Sequence, residues 1–297
     1  MNKNSKPWHW LAVIMLSLIW GSSYILMKKG LRSFSAYQLA SIRVLISFMC
    51  LLPVTLRSIS KFNKKNLVSI LIIGFFGSGI PSILYPLAQT RIESSLTGML
   101  NTLSSAFTLA VGIIFYNRKA IKSQIAGVFL GFAGAAGLLY SGSFAFNSYG
   151  LFVVLATLMN GFSNNEVSKA DGLNGMEITS LSLTILSPFA LALLLSTNLH
   201  SVLLTPDWPL NLGYIAILSV AGTAIANIVY YFLIRDTSPV VASIVAYFIP
   251  VVATLWGLSD NEHLAPNMVV SVLLILAGVY LINRPGALRK LKKMIGA

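Results

Sequence analysis

Long apolar runs, separated by short polar or basic clusters, follow one another along almost the whole chain. They lie near residues 10–29, 36–56, 67–88, 94–116, 122–140, 148–168, 176–196, 210–234, 238–258 and 264–283. A membrane-spanning helix needs about 20 mostly apolar residues, and lipid offers no partner for open backbone groups. Barrel strands alternate apolar and polar residues, and these runs do not. The pattern predicts an all-α membrane protein with ten transmembrane helices.

Composition and charge support this prediction and give the helices a direction. The chain has 297 residues, of which 56% are hydrophobic and 10% charged, against about 25% charged in a soluble domain. Its net charge of +13 would suggest nucleic acid in a soluble protein. Sixteen Lys and Arg fall on one side of the predicted spans and four on the other. Because cytoplasmic loops collect Lys and Arg, we expect both termini in the cytoplasm and no nucleic-acid partner.

An internal repeat divides the chain into two halves. A shift of 145 residues places Gly77, Ser78 and Tyr85 over Gly222, Thr223 and Tyr230, and it also places Gly112 over Gly257. Five crossings per half would invert the second copy relative to the first. We therefore predict two inverted five-helix repeats, 1–145 and 146–297, the second ending in a basic cytoplasmic tail. Inverted repeats are typical of secondary transporters with a substrate site between the halves.

Short motifs in a fixed order resemble the EamA family of the drug/metabolite transporter superfamily. They are Trp20–Tyr24 with Lys28, Arg43, Gly222–Ala224, Tyr230–Tyr231, Thr237–Ala242, Pro250–Ala253, Trp256–Gly257, Glu262 and Leu276–Leu281. The first half departs from the pattern, because Ser105 and Asn117 lie at the positions of Pro250 and Glu262 under the 145-residue shift. The resemblance implies ten spans and the transport of small organic metabolites across a cytoplasmic membrane.

Arg43 is the clearest candidate for function inside a span. An ionisable group at membrane depth is costly and indicates a functional site, and a guanidinium is suited to binding a carboxylate. The alternatives are a structural ion pair with Glu93 or snorkelling toward the headgroups.

Glu166 and the preceding asparagines form a second polar group. On a helix, Asn160 and Asn164 share one face and are candidates for a cavity wall, although polar side chains also join helices. Glu166 is a candidate coupling residue, with an interfacial acid near Lys169 as the alternative.

Further polar and aromatic residues complete the predicted cavity, whose composition is typical of small-molecule pockets. The predicted substrate-binding residues are Trp20, Arg43, Tyr85, Asn101, Asn160, Asn164, Asn227, Tyr230 and Tyr247. Pro250 predicts a kink in the ninth span that serves gating. The glycines at 127, 131, 134 and 137 predict a helix-packing face. Asp260, Glu262 and His263 are expected to be solvated at the end of a span rather than to bind a metal.

The sequence lacks a P-loop, a zinc-binding HExxH motif and a nucleophile with a base at membrane depth. We therefore expect no enzyme, metal or cofactor. The leading hypothesis is a multi-pass permease of the cytoplasmic (inner) membrane, monomeric or homodimeric, that exports amino acids or related compounds by alternating access. The alternatives are a proton-coupled exporter of drugs or other metabolites, and an intramembrane enzyme or scaffold.

Overall fold

A computed structural model describes residues 7–62, 64–140, 147–263 and 265–283. Within these ranges the regular secondary structure is entirely helical, as predicted. The predicted basic tail after residue 283 and the predicted repeat boundary at residues 145 and 146 lie outside the described residues.

The long helices are numbered here in chain order, and a short helix, His200–Leu203, lies between the seventh and the eighth. They are α1 Pro7–Gly30, α2 Ala36–Lys61, α3 Lys64–Gln89, α4 Ser94–Phe115, α5 Lys122–Leu139, α6 Gly150–Val167, α7 Gly175–Leu195, α8 Trp208–Asp236, α9 Pro239–Ser259 and α10 Pro266–Asn283. In the described part of the chain, eight of them are long and apolar enough to cross a membrane, and α10 contributes a shorter apolar helix over Asn267–Asn283. The count of ten spans and the cytoplasmic termini stay predictions.

Two helices at equivalent positions in the halves begin in the same way. The Ser35 side chain accepts a hydrogen bond from the Gln38 amide, and the Gln38 side chain bonds back to the Ser35 amide. Asn174 and Glu177 form the same reciprocal pair at the start of α7. Such capping boxes satisfy amides that a helix start otherwise leaves open, so α2 and α7 begin at defined residues.

The helix contacts repeat between the two halves. Helix α2 packs along α7 and α5 along α10, while α1 packs against α9 and α4 against α6. Exchanging every helix with the one five places away converts this set of pairs into itself. The predicted glycine face of α5 is confirmed: a Cβ on Gly134 would lie 2.6 Å from the Ser271 carbonyl oxygen of α10.

The ends of α4 and α9 show how the repeats correspond. Asn117 (φ 52°) and Asn261 (φ 58°) both have the left-handed backbone that asparagine tolerates better than most residues. The next residues, Arg118 and Glu262, each donate a backbone hydrogen bond of 2.9 Å to the carbonyls of Gly112 and Gly257, respectively. Glu262 therefore corresponds to Arg118, and the assignment to Asn117 was wrong by one residue.

Glu262 is buried rather than solvated, which corrects the expectation from sequence. Its carboxylate accepts hydrogen bonds from the Ser94 and Ser95 amides at 3.0 and 2.9 Å, where α4 begins. The Lys28 ammonium lies 2.7 Å from the same carboxylate, 3.0 Å from Glu93 and 3.1 Å from Asp260. We call these four side chains the ionic cluster; it joins α1, α4 and the α9–α10 connection.

We expect the ionic cluster to make stability depend on pH. Burial opposes ionisation of Glu262, but hydrogen bonds from Lys28, Ser94 and Ser95 outweigh it and lower the pKa to about 2. Because the folded-state pKa lies below the ordinary value, this contribution is complete above about pH 5 and is lost as pH falls toward 2.

Glu262→Ala should lower the free energy of unfolding at pH 7 by about 3–5 kcal/mol, because it breaks a buried pair, and should flatten this acid dependence. Thermal unfolding of purified protein in detergent measures both effects. Glu93→Ala is the control, since its half-exposed carboxylate should contribute about 1 kcal/mol or less. Equal losses in the two variants would contradict the role given to Glu262.

Candidate functional site

A central cavity lies among α1, α2, α3, α4, α6, α8 and α9. About 110 Å³ is available in it to the centres of water molecules, and one water needs about 10–15 Å³ on this measure. The cavity therefore admits several waters or a small organic molecule. Eight of the nine predicted residues line it: Trp20, Arg43, Tyr85, Asn101, Asn160, Asn164, Asn227 and Tyr230. Their role in binding stays a prediction.

Four of the helices around the cavity are irregular. Helix α3 contains a π-helical turn at Ile73–Gly79, and α8 contains one at Val220–Ile225. Helix α4 is interrupted at residues 101–102, and α9 contains a 3₁₀ stretch at Ser243–Tyr247. Each irregular segment contributes residues to the lining. Irregular backbone at membrane depth is tolerated where it lines a cavity, and discontinuous helices mark the binding sites of many transporters.

The course of α9 changes the interpretation of two predicted residues. Tyr247 lies at the end of the 3₁₀ stretch and is outside the lining, whereas Val245 and Ala246 are in it. Pro250 lies in the first turn of the helical segment Ile249–Ser259, where a missing amide hydrogen costs little. The irregularity in α9 therefore lies near the middle of the helix and directly precedes Pro250. The gating role of Pro250 stays a prediction.

Arg43 lines the cavity with its charge unneutralised. Its Nε donates a hydrogen bond of 2.6 Å to Thr223 Oγ1. The proposed ion-pair partner, Glu93, binds Lys28 instead. Among the described residues no carboxylate lies within 4.0 Å of the Arg43 guanidinium. The lining residues include no Asp or Glu, so the cavity carries a positive charge.

Amides and hydroxyls join the cavity walls into short hydrogen-bonded chains. Asn160 Nδ2 donates to the Tyr85 hydroxyl at 3.1 Å, and that hydroxyl donates to Asn101 Oδ1 at 2.5 Å. Asn164 Nδ2 donates to Thr108 Oγ1 at 3.0 Å. The asparagines of α6 therefore have both predicted roles, since Asn160 and Asn164 line the cavity and also join α6 to neighbouring helices.

Sequence reasoning missed the hydroxyls presented by the two π turns. Thr223 holds Arg43, and Ser78 Oγ accepts a hydrogen bond from Asn227 Nδ2 at 3.0 Å. Both belong to Gly-Ser/Thr pairs, and glycine allows close approach there: a Cβ on Gly222 would lie 2.7 Å from Ser23 Oγ. The 145-residue shift paired Ser78 with Thr223 and was the available signal.

Glu166 lies outside the lining of the cavity and faces two hydroxyls. Ser69 Oγ donates to it at 2.7 Å and the Tyr116 hydroxyl at 2.5 Å. Burial and this hydrogen bond raise the pKa of the Tyr116 phenol well above its usual value, so Tyr116 remains the donor. Lys169 lies over the Tyr116 ring, with its nitrogen 4.2 Å from the centroid. The described Lys and Arg include none within 4.0 Å of Glu166.

Comparisons with known proteins agree with the two-repeat organisation. The profile of the EamA-like transporter family matches residues 7–140 and again 147–284. An uncharacterized transporter of Archaeoglobus fulgidus is 25% identical over 93% of this chain and 98% of its own. The uncharacterized inner membrane transporter YedA of Escherichia coli K12 is 26% identical over 91% of each chain. A crystal structure with 15% identity superposes with a TM-score of 0.65 over 97% of this chain and 100% of the other, and shows the fold alone.

Cysteine labelling tests which residues the cavity exposes. The single cysteine, Cys50, is replaced by Ser to give a silent background. In that background Asn227→Cys should react with a small charged methanethiosulfonate at least about tenfold faster than Tyr247→Cys. The reacting species is the thiolate, which forms more readily in contact with water, and Asn227 lines the cavity whereas Tyr247 does not. Mass spectrometry of the intact protein measures the rate. Equal rates at the two positions would contradict the cavity as described.

Proposed function

Because the chain belongs to the EamA-like transporter family, we propose that it exports small organic metabolites bearing a carboxylate, such as amino acids or related compounds, by alternating access. Membership in the family makes it a multi-pass membrane transporter. The observation that carries the finer proposal is the unneutralised guanidinium of Arg43 in the central cavity.

The charge of Arg43 indicates an anionic group on the substrate. An ionised side chain at membrane depth is normally paired or placed in a water-filled cavity, and Arg43 is the one Lys or Arg among the lining residues. A guanidinium and a carboxylate make two parallel charge-assisted hydrogen bonds. A carboxylate substrate would therefore neutralise the cavity when it binds.

The other walls supply groups for the rest of an amino acid. Trp20 and Tyr230 pack edge to face with ring centroids 4.9 Å apart, and aromatic faces attract ammonium groups. The amide oxygens of asparagines are acceptors for the same ammonium. These contacts support an amino acid as the substrate. A cationic drug would instead be repelled by the charge of Arg43, and the lining has no carboxylate to bind it.

Contacts between the repeats support alternating access. Arg43 on α2 binds Thr223 on α8, and the Trp20 indole on α1 donates to the Gly222 carbonyl on α8 at 3.0 Å. The cavity therefore lies between the predicted repeats, and a rocking movement of one against the other would change its access. In this proposal the protein works in the cytoplasmic membrane, like the E. coli relative described as an inner membrane transporter, as a monomer or homodimer.

Proton coupling is the second candidate function, and Glu166 favours it. This carboxylate is 7% exposed, has hydroxyl partners rather than a cation, and lies one helical turn from Ser163 of the lining. A buried carboxylate of this kind can take up a proton without breaking an ion pair. The enzyme and scaffold alternatives receive no comparable support.

Replacing Arg43 should abolish carboxylate recognition. In proteoliposomes loaded with a mixture of L-amino acids, Arg43→Gln should reduce counterflow of the labelled amino acids at least about tenfold, since hydrogen bonds to charged groups contribute about 1.5–3 kcal/mol. Arg43→Lys should retain part of the activity, because the charge remains and the planar fork is lost.

Arg91→Gln is the matched control, because Arg91 is exposed; it should transport as the wild type does. A monodisperse profile in size-exclusion chromatography shows that each variant is folded. If a folded Arg43→Gln protein shows the same rate of counterflow as the wild type, the proposal is contradicted.

Glu166→Gln tests proton coupling separately from substrate recognition. If Glu166 carries the proton, an imposed pH gradient accelerates uptake by the wild type and leaves Glu166→Gln unaffected, with counterflow at equal pH preserved. Uptake into proteoliposomes with and without the gradient measures this. If the pH gradient does not change the rate of uptake by the wild type, proton coupling is excluded and uniport remains.

A further inference from the structure

Thr223 is the single described residue that accepts a hydrogen bond from the Arg43 guanidinium. Its Oγ1 lies 2.6 Å from Arg43 Nε, and its side chain is 3% exposed. The hydroxyl's other neighbour, the Leu218 carbonyl oxygen, is 3.5 Å away, at the limit of a hydrogen bond. The contact with Arg43 is therefore the strong interaction of this hydroxyl.

The π turn in α8 explains why Thr223 reaches Arg43. A π turn inserts one extra residue into an α-helix and is frequent at functional sites. In the turn Val220–Ile225, the Gly222 carbonyl meets the Trp20 indole and the adjacent Thr223 hydroxyl meets Arg43. Two consecutive residues of the second predicted repeat thus contact two predicted binding residues of the first.

The choice of nitrogen matters for recognition. A guanidinium has five N–H donors in a planar fork. The Nε–H group donates to Thr223, and the other four N–H groups donate to no side chain or backbone group among the described residues. They form the edge that can pair with both oxygens of a carboxylate.

We propose that Thr223 is a positioning residue, which fixes the Arg43 guanidinium so that its Nη1/Nη2 edge is presented to a carboxylate in the cavity. This inference rests on the proposed function, because it assigns how Arg43 would recognise its substrate. A guanidinium held at one nitrogen loses less rotational freedom on binding than a free one, so the hydroxyl raises the affinity for carboxylates through Arg43.

The matching turn of α3 shows that this role is particular to the second repeat. Ser78 lies at the equivalent position of the π turn Ile73–Gly79, and its hydroxyl accepts from Asn227 instead of an arginine. Each repeat thus has a π turn whose hydroxyl accepts a hydrogen bond, from an amide in the first repeat and from a guanidinium in the second. The cavity is therefore asymmetric in charge although its walls repeat.

The experiment observes Arg43 directly, with acetate as the smallest carboxylate probe and acetamide as its neutral counterpart. In ¹⁵N-arginine-labelled protein in lipid nanodiscs, the Arg43 Nε–H signal is assigned by its absence from Arg43→Lys. In the wild type this proton should exchange slowly with water, and acetate, unlike acetamide, should shift the signal.

Thr223→Val keeps the shape of the side chain and removes the hydroxyl. It should speed Nε–H exchange at least tenfold and raise the acetate Kd about tenfold, which corresponds to about 1.4 kcal/mol. Thr223→Ser should restore both values to within about threefold. Thr55→Val is the matched control: Thr55 is buried and its hydroxyl lies 3.2 Å from Thr184 Oγ1 on α7, so both values should stay as in the wild type.

Two results would overturn the proposal, and they are distinguishable. Unchanged exchange and unchanged acetate affinity in Thr223→Val would show that Thr223 does not position Arg43. A protected Nε–H in a wild type that ignores acetate would contradict carboxylate recognition by Arg43, and with it the proposed function, while leaving the Arg43–Thr223 contact intact.

Discussion

Lipid has no hydrogen-bonding groups, and this constraint determines where the fold can depart from regular helices. An open carbonyl or amide at membrane depth must find a partner inside the protein or in water. The π turns of α3 and α8, the interruption of α4 and the 3₁₀ stretch of α9 all border the central cavity. There, neighbouring side chains take up the exposed groups, as the Trp20 indole does for the Gly222 carbonyl. The cavity and the irregular helices therefore depend on each other.

The same constraint applies to the acidic residues, which are few: Asp and Glu together number eight in the sequence. Glu93, Asp260 and Glu262 bind Lys28, and other acids pair or lie in exposed connections. Arg43 and Glu166 differ, because each is buried in the bundle with uncharged partners among the described residues. Charges without a counter-ion carry a free-energy cost, and a substrate anion at one and a proton at the other would remove it. This is why the two positions carry the functional proposals.

Periodicity and charge predicted the helical class and the repeat, because those follow from the apolar spacing and from matches such as Gly77 with Gly222. The polar and aromatic positions inside the predicted spans identified eight of the 23 residues that line the cavity. Tyr247 was assigned to the cavity as a polar residue near the middle of the ninth span. Each 3₁₀ residue turns the chain about 120° instead of 100°, so a stretch from Ser243 to Tyr247 turns later side chains to another face. Glu262 was expected to be solvated. Its partners, the amides of Ser94 and Ser95, are distant in the sequence, and the pattern of apolar and polar residues does not indicate such a contact.

The two ends of the bundle differ in how the repeats are joined, and this bears on the movement that we propose. At one end Glu262 binds two amides and an ammonium. At the corresponding position of the other repeat, the Arg118 side chain donates to the Ser168 hydroxyl at 3.3 Å. Near that end the repeats are also joined by Ser69 and Tyr116, which donate to Glu166, and by the ion pair of Lys61 with Glu177. Separating a buried, ionised carboxylate from its donors costs more than separating an arginine from a hydroxyl. A rocking movement between the repeats would therefore meet a larger barrier at Glu262 than at Arg118, unless a bound substrate supplies compensating contacts. Arg43 and Thr223, which join the same two repeats at the cavity, are placed where such contacts would form.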